Sequence, residues 1–383
     1  MTMRKAMLAA AVALGAATAW AQDKGADHSQ MDHSQMDHSQ MDHAQMDHSA
    51  MGHDMGRQPM DAEGRRKSAM AHSTGHKMGG EVYEEMRRNI PTYRALTDNE
   101  MDLAMGMMGD DMEWYVSDRS LTGELGVLLL AHGTGGGGDR VLRDAVAPLA
   151  KTTPTAIGFG MAMMASDHLQ AAVDDLEAAG AKTIVVVPTT ATDHNSLKRQ
   201  WNYIFGLGDK VAYATVPRVT AAKARLVVAP SYGFHPIMAR ILLDHAKEIS
   251  TNPAKEVVYL VSHGPEEPAD NEPDLANLQL YADHVKAQGG FADARALNLQ
   301  DDALPAIRAG NVKKLRRWIE TARRQGKDAL IVAAVHQAKG IQQKIYSDLD
   351  GLTFRYNEKG MSNHPAFVEW VKDAVKTALA DKG

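Results

Sequence analysis

The chain has 383 residues, 44% of them hydrophobic, enough for one large or two ordinary domains once a polar N-terminal tail is set aside. Lys plus Arg number 42 against 48 Asp plus Glu, and a net charge of -6 lacks the basic field that a nucleic-acid partner requires. There is no cysteine, so disulfides and thiolate ligands are excluded and any metal must be held by His, Met, Asp or Glu.

At the N-terminus, Arg4 and Lys5 precede an apolar run from Ala6 to Ala19, and Ala19-Trp20-Ala21 has the small-x-small form of a cleavage site. Residues 1–21 are therefore expected to be a signal peptide directing export to a bacterial periplasm. The run is shorter than the roughly 20 residues a membrane span needs, so no span is expected after cleavage. From Asp27 to Met51 a five-residue unit, Asp-His-Ser-Gln-Met, repeats and sets His28, His33, His38, His43 and His48 in register with Met31, Met36, Met41, Met46 and Met51. Such a segment has too little apolar surface to offset the entropy of ordering, and residues 22–80 are expected to be a disordered tail and linker. Imidazole suits Cu(II), Ni(II), Co(II) and Zn(II), whereas thioether selects Cu(I), so the repeat is read as a metal-binding tail with copper as the expected ligand.

Residues 81–120 are expected to form a Met-rich helical connector. Thr97 and Glu100 have capping-box spacing, and Met101, Leu103, Met105, Met107, Met108 and Met112 follow. The stripe reads first as core, and alternatively as a soft-metal relay or a lid. From Leu121 onward, short apolar runs alternate with amphipathic segments. Gly126 to Ala131 reads as a buried strand ending at His132-Gly133, Thr155 to Phe159 and Ile184 to Val187 as further strands, and Arg225 to Ala229 as another. Helices with apolar positions three and four apart lie between them, through Val141, Ala145 and Leu149 and through Leu169, Val173 and Leu176. The order then restarts. Val257 to Val261 followed by Ser262-His263-Gly264 echoes the first strand and turn, Ala329 to Ala333 mirrors Thr183 to Val187, and His364-Pro365 mirrors His235-Pro236. The expected fold is α/β, with two similar halves at 121–250 and 251–383, each a parallel sheet flanked by helices.

Four motifs in order, Ala131-His132-Gly133-Thr134, Gly180-Ala181 with Ile184 to Pro188, His194, and Gly233-Phe234-His235-Pro236, carry a family resemblance. Over residues 121–383 the chain resembles the ATP-independent tetrapyrrole chelatases, in their sirohydrochlorin cobaltochelatase and ferrochelatase branch. The resemblance implies insertion of cobalt, iron or nickel, as substrate, into a sirohydrochlorin-type macrocycle, with His132 and His194 as ligands and proton acceptors. Such a pair fits the chemistry, because an imidazole poised near neutrality both binds a divalent metal and accepts ring protons. The sequence departs from the family between Pro188 and His194, which is two residues short, with Asp193 in place of Gly.

In the second half Gly340 falls opposite His194 and His336 opposite Thr190. His263 is a further candidate ligand, Glu266 a candidate proton shuttle, and His336 is expected to reach the same cleft. Arg140, Arg143, Lys198 and Arg199 are candidates for pairing with macrocycle carboxylates. His235 and His364, each before a proline, are expected to cap helices. The runner-up reading is a non-catalytic periplasmic protein that binds and delivers copper, cobalt, nickel or haem.

Overall fold

A computed structural model describes residues 57–69, 80–106, 110–163, 165–337 and 339–380. The signal peptide and the His/Met repeat, with every tail residue named as a ligand, lie outside the described residues.

The first sheet contains six strands, β1 (Arg65–Lys67), β2 (Met112–Tyr115), β3 (Leu125–Ala131), β4 (Thr155–Phe159), β5 (Thr183–Pro188) and β6 (Arg225–Val228). Their spatial order is β1-β2-β4-β3-β5-β6, with β4, β3, β5 and β6 parallel and β2 and β1 added antiparallel at one edge. The second sheet contains β7 (Glu256–Ser262), β8 (Asp293–Asn298), β9 (Asp328–Ala333) and β10 (Arg355–Asn357), all parallel in the order β10-β9-β7-β8. The parallel part of each sheet is therefore wound identically, with the first strand central, the second on one side and the third and fourth on the other. The expected pair of similar α/β halves is what the chain forms. Continuous apolar runs explain the central strands, since Val127 to Leu130 and Val257 to Val261 are buried with helices covering both faces.

The helices are α1 (Gly80–Asn89), α2 (Asp98–Gly106), α3 (Gly136–Ala150), α4 (Asp167–Ala178), α5 (Ser196–Ile204), α6 (Pro236–Glu248), α7 (Pro268–Gly289), α8 (Pro305–Arg324), α9 (Lys339–Asp348) and α10 (Phe367–Ala380). Two of them are exchanged between halves. Helix α6, at the end of the first half, packs on β9 and β10, and α10, at the end of the second, packs on β5 and β6. The largest apolar core follows this exchange and joins Leu142, Val146 and Met238 to Val258, Leu330, Phe367 and Trp370. His235 caps α6, its Nδ1 accepting from the Ile237 amide at 3.2 Å, and His364 makes the same bond in the turn ahead of α10, its Nδ1 accepting from the Ala366 amide at 3.1 Å. The other ring nitrogen of each reaches an aspartate on the exchanged partner helix, His235 Nε2 to Asp373 at 3.1 Å and His364 Nε2 to Asp244 at 3.4 Å. Capping, as expected, is the role of His235, while His364 holds the turn that leads into α10.

Two segments differ from expectation. Residues 57–69, assigned to the linker, carry β1, whose Arg66 bonds Glu113 at 2.6 Å and Asp175 at 3.0 Å in a buried ion cluster. Glu113 is fully buried, and burial first, then the Asp175 charge, push its carboxyl up to about 8. The connector holds the expected short helix after Thr97 as α2, preceded by α1 and a 3₁₀ turn at Pro91–Tyr93, but Met112, expected in the helical stripe, begins strand β2. The capping box holds, since the Thr97 amide donates to the Glu100 carboxylate at 2.7 Å and the Glu100 amide to Thr97 Oγ1 at 3.4 Å.

Candidate metal crevice

In a sheet wound this way, the loops after the first and third strands leave in opposite directions and open a crevice at the carboxyl ends of those strands. His132 follows β3 directly and His194 lies in the loop after β5. The two strands are hydrogen-bonded neighbours, with Leu130 opposite Pro188. Both side chains are exposed at that crevice. In the second half, His263 follows β7 and His336 follows β9, at the corresponding switch point between neighbouring strands.

The two His-Gly turns are built alike. Gly133 and Gly264 take φ of 82° and 72°, a region side chains avoid, and a Cβ on Gly264 would stand 2.4 Å from the Asn298 Cβ. Each turn brings its histidine Nδ1 to the next carbonyl, His132 to Gly133 O at 2.6 Å and His263 to Gly264 O at 2.9 Å. A carbonyl only accepts, so Nδ1 carries the proton in both rings. In the neutral form of His132 this makes Nε2 the acceptor nitrogen, the tautomer that a metal ligand or proton acceptor needs.

His263 differs because its Nε2 is 3.2 Å from an Asp302 carboxylate oxygen. Burial opposes the charge, but Asp302, with Asp301 behind it, overcomes burial and raises the His263 pKa to about 10. The same pairing holds Asp302 well below the usual carboxylate range against its own burial, with a further contribution from His132. His263 is thus an imidazolium donating from both nitrogens, and the ligand role expected of it requires deprotonation first. Asp302 pairs with His263 and lies within electrostatic reach of His132, so the two His-Gly turns approach one another between the halves.

Other residues cross the same gap. Asp274 on α7 accepts from Thr192 at 2.8 Å and from Asn298 at 2.9 Å, and it feels the charge of His194. Burial raises the Asp274 pKa, so a cationic or metal-bearing neighbour stabilises its ionised form. Arg199 on α5 meets Asp270 on α7 at 2.8 Å. Glu266 lies within electrostatic reach of Arg199, Tyr93 and Tyr213, and Asp302 within reach of the same two tyrosines. Tyr93, on the 3₁₀ turn of the connector, is buried within electrostatic reach of this crevice. Nothing in the composition of the connector pointed to it, because Tyr93 is one aromatic among the core residues of that segment.

Other candidates are engaged elsewhere. Arg140 reaches Glu63 at 3.1 Å and Arg143 reaches Asp144 at 2.7 Å, and both guanidinium groups lie over Trp114 at 5.9 Å, beside the β2 edge. Lys198 is buried, donates to Asn202 at 2.9 Å, and lines a separate cavity of about 310 Å³ with Asp193 and Pro230. Of the four cations, Arg199 is the one at the crevice. His336 does not reach the cleft as expected: its ring nitrogens are buried and the ring is boxed by Tyr232, Phe367 and Trp370 at 5.4–5.6 Å. Burial drives its pKa down to about 3, so it is neutral. Among the described residues, no three His, Asp or Glu side chains are already gathered around one metal position.

No family model matches the chain, and no curated protein matches it. Among solved structures it is similar to SirB from Bacillus subtilis with Fe3+, at 14% identity and a TM-score of 0.49, covering 68% of this chain and 97% of that one. It is also similar to the sirohydrochlorin chelatase SirB from Bacillus subtilis subspecies spizizenii in complex with cobalt, at 11% identity and a TM-score of 0.46, with the same coverage. A periplasmic binding ribose operon repressor protein from Lactobacillus acidophilus follows at 10% identity and a TM-score of 0.31, covering 68% and 93%. At such scores none of these likenesses bears on the assignment of the site.

Proposed function

We propose that the protein is an exported, periplasmic chelatase that inserts a divalent metal, cobalt or iron, into a sirohydrochlorin-type macrocycle held in the crevice between the halves. One observation supports the reading: His132 and His194 follow the neighbouring strands β3 and β5, and each lies within electrostatic reach of a carboxylate of the other half, Asp302 and Asp274. Two imidazoles leave positions on the metal open for incoming ring nitrogens, as transfer requires and a closed structural site would prevent. His132 Nε2 is free to hold the metal substrate or to take a ring proton, and Glu266 is a second base on the opposite wall. Arg199 is placed to meet a macrocycle carboxylate if Asp270 yields it.

The proposal is tested by Co(II) titration of the whole chain followed by its visible d–d absorption. His132→Ala and His194→Ala should each remove one equivalent relative to wild type without changing the far-ultraviolet circular dichroism. Equal stoichiometry in all three proteins would place the metal elsewhere.

A further inference from the structure

Methionine is distributed unevenly along the chain. Twelve methionines follow residue 70, and ten of them fall within residues 78–112 and 161–164, leaving Met238 and Met361 for all the rest. The three larger cores are filled with Val, Leu, Ile, Ala and aromatic residues, with Met112, Met238 and Met361 and the half-buried Met60 the exceptions. The small core under α1 and α2 is built differently. Met86, Met101 and Met163 are buried in it, and Met105 and Met161 are half-buried at its edge. Leucine conserves the volume of methionine, so filling space does not explain the choice at one place alone. What methionine adds is a soft thioether donor, which selects Cu(I) and other d¹⁰ monovalent cations over hard divalent ones.

Position strengthens the point. The Gly160 amide donates to the His132 carbonyl at 3.0 Å, so residues 161–163 leave directly from the His132 turn. The matching bond in the second half runs from the Gln300 amide to the His263 carbonyl at 2.7 Å. Equivalent loops therefore carry Met161 and Ala162 in one half and Asp301 and Asp302 in the other. Tyr93 and Tyr213 belong to the methionine core and lie within electrostatic reach of Asp302 and Glu266, so that core lies beside the crevice. The connector is fastened there by Asn89 donating to Tyr213 O at 2.9 Å and by Glu85 accepting from the Thr215 amide at 2.8 Å.

We propose that Met105, Met161 and Met163 form a site for a soft monovalent cation of the Cu(I) class, distinct from the divalent-metal position at His132 and His194. It does not depend on the chelatase reading. The test is methyl-resolved NMR of the whole chain carrying ¹³C-methyl methionine, titrated with Ag(I) as a redox-inert probe and with no tetrapyrrole present. Single Met105→Leu, Met161→Leu and Met163→Leu variants assign the resonances. The exchange conserves volume, and Met105 and Met161 at the edge suffice if Met163→Leu folds poorly. The three methyl signals should shift together and saturate with one equivalent, and each variant should weaken Ag(I) at the remaining two at least tenfold. The proposal is overturned if these signals stay at their metal-free positions while those of the N-terminal repeat shift. Because cobalt insertion is measured separately, its failure would leave this site untouched.

Discussion

His132 and His263 sit in equivalent turns with the same Nδ1 bond to glycine, yet only His263 has a carboxylate at Nε2. That difference gives His263 a fixed charge partner that His132 lacks. With Asp302 replaced by Asn, the His263 pKa should fall from about 10 to at or below its ordinary 6.5, read from the imidazole ¹H shifts against pH. The effect on stability has a definite sign. A folded-state pKa raised above the unfolded value contributes stability that is fully present below about pH 6.5 and is lost as pH rises through about 10. Wild type should therefore lose more thermal stability between pH 7 and 10 than Asp302→Asn does. Parallel melting curves over that range would contradict the pairing. His263 was legible in the sequence as part of a repeated turn, but its charge was not, because Asp302 arrives from a loop 39 residues further on.

At the scale of elements, the exchanged helices depend on paired caps. His235→Ala and His364→Ala should each cost about 1 kcal/mol in urea unfolding, the usual worth of an N-cap, and His235→Asn should recover most of the loss because Asn caps through a side-chain oxygen. An unchanged midpoint for both alanine variants would remove the caps from the account. These elements were readable in advance, since Pro at the first helical position after a polar residue is a local signal. So were β3, β4, β5 and β9, each an apolar run ending in a turn. Strand β1 was not: Arg65-Arg66-Lys67 has no apolar alternation, and it is held as a strand by β2 and by the buried Glu113 and Asp175, which no local pattern announces.

For the whole molecule, the exchange of α6 and α10 makes the halves interdependent. Residues 57–250 expressed alone should lack the cover that Phe367, Trp370 and Val371 give to β5 and β6, and should bind a hydrophobic dye and melt without cooperativity. A cooperative, dye-free melt of that fragment would refute this. The sequence repeat foretold two similar halves, but a repeat is silent on which sheet a terminal helix chooses. The same limit applied to the crevice: motif order put His132 and His194 on loops after neighbouring strands and picked out Arg199, whereas Tyr93 and Asp302 approach through packing across the halves. Arg140 and Arg143 follow the same loop in sequence yet turn to Trp114, because their helix faces the β2 edge.

The most direct measurement mixes purified whole protein with Co(II) and sirohydrochlorin under anaerobic conditions and follows the macrocycle absorbance. Wild type should convert the free macrocycle to its cobalt complex over many turnovers, faster than the protein-free reaction. His132→Ala and His194→Ala should each lower the rate by about 100-fold or more, the usual worth of a positioned proton acceptor. A wild-type rate equal to the protein-free rate, or full activity in both variants, would contradict the account.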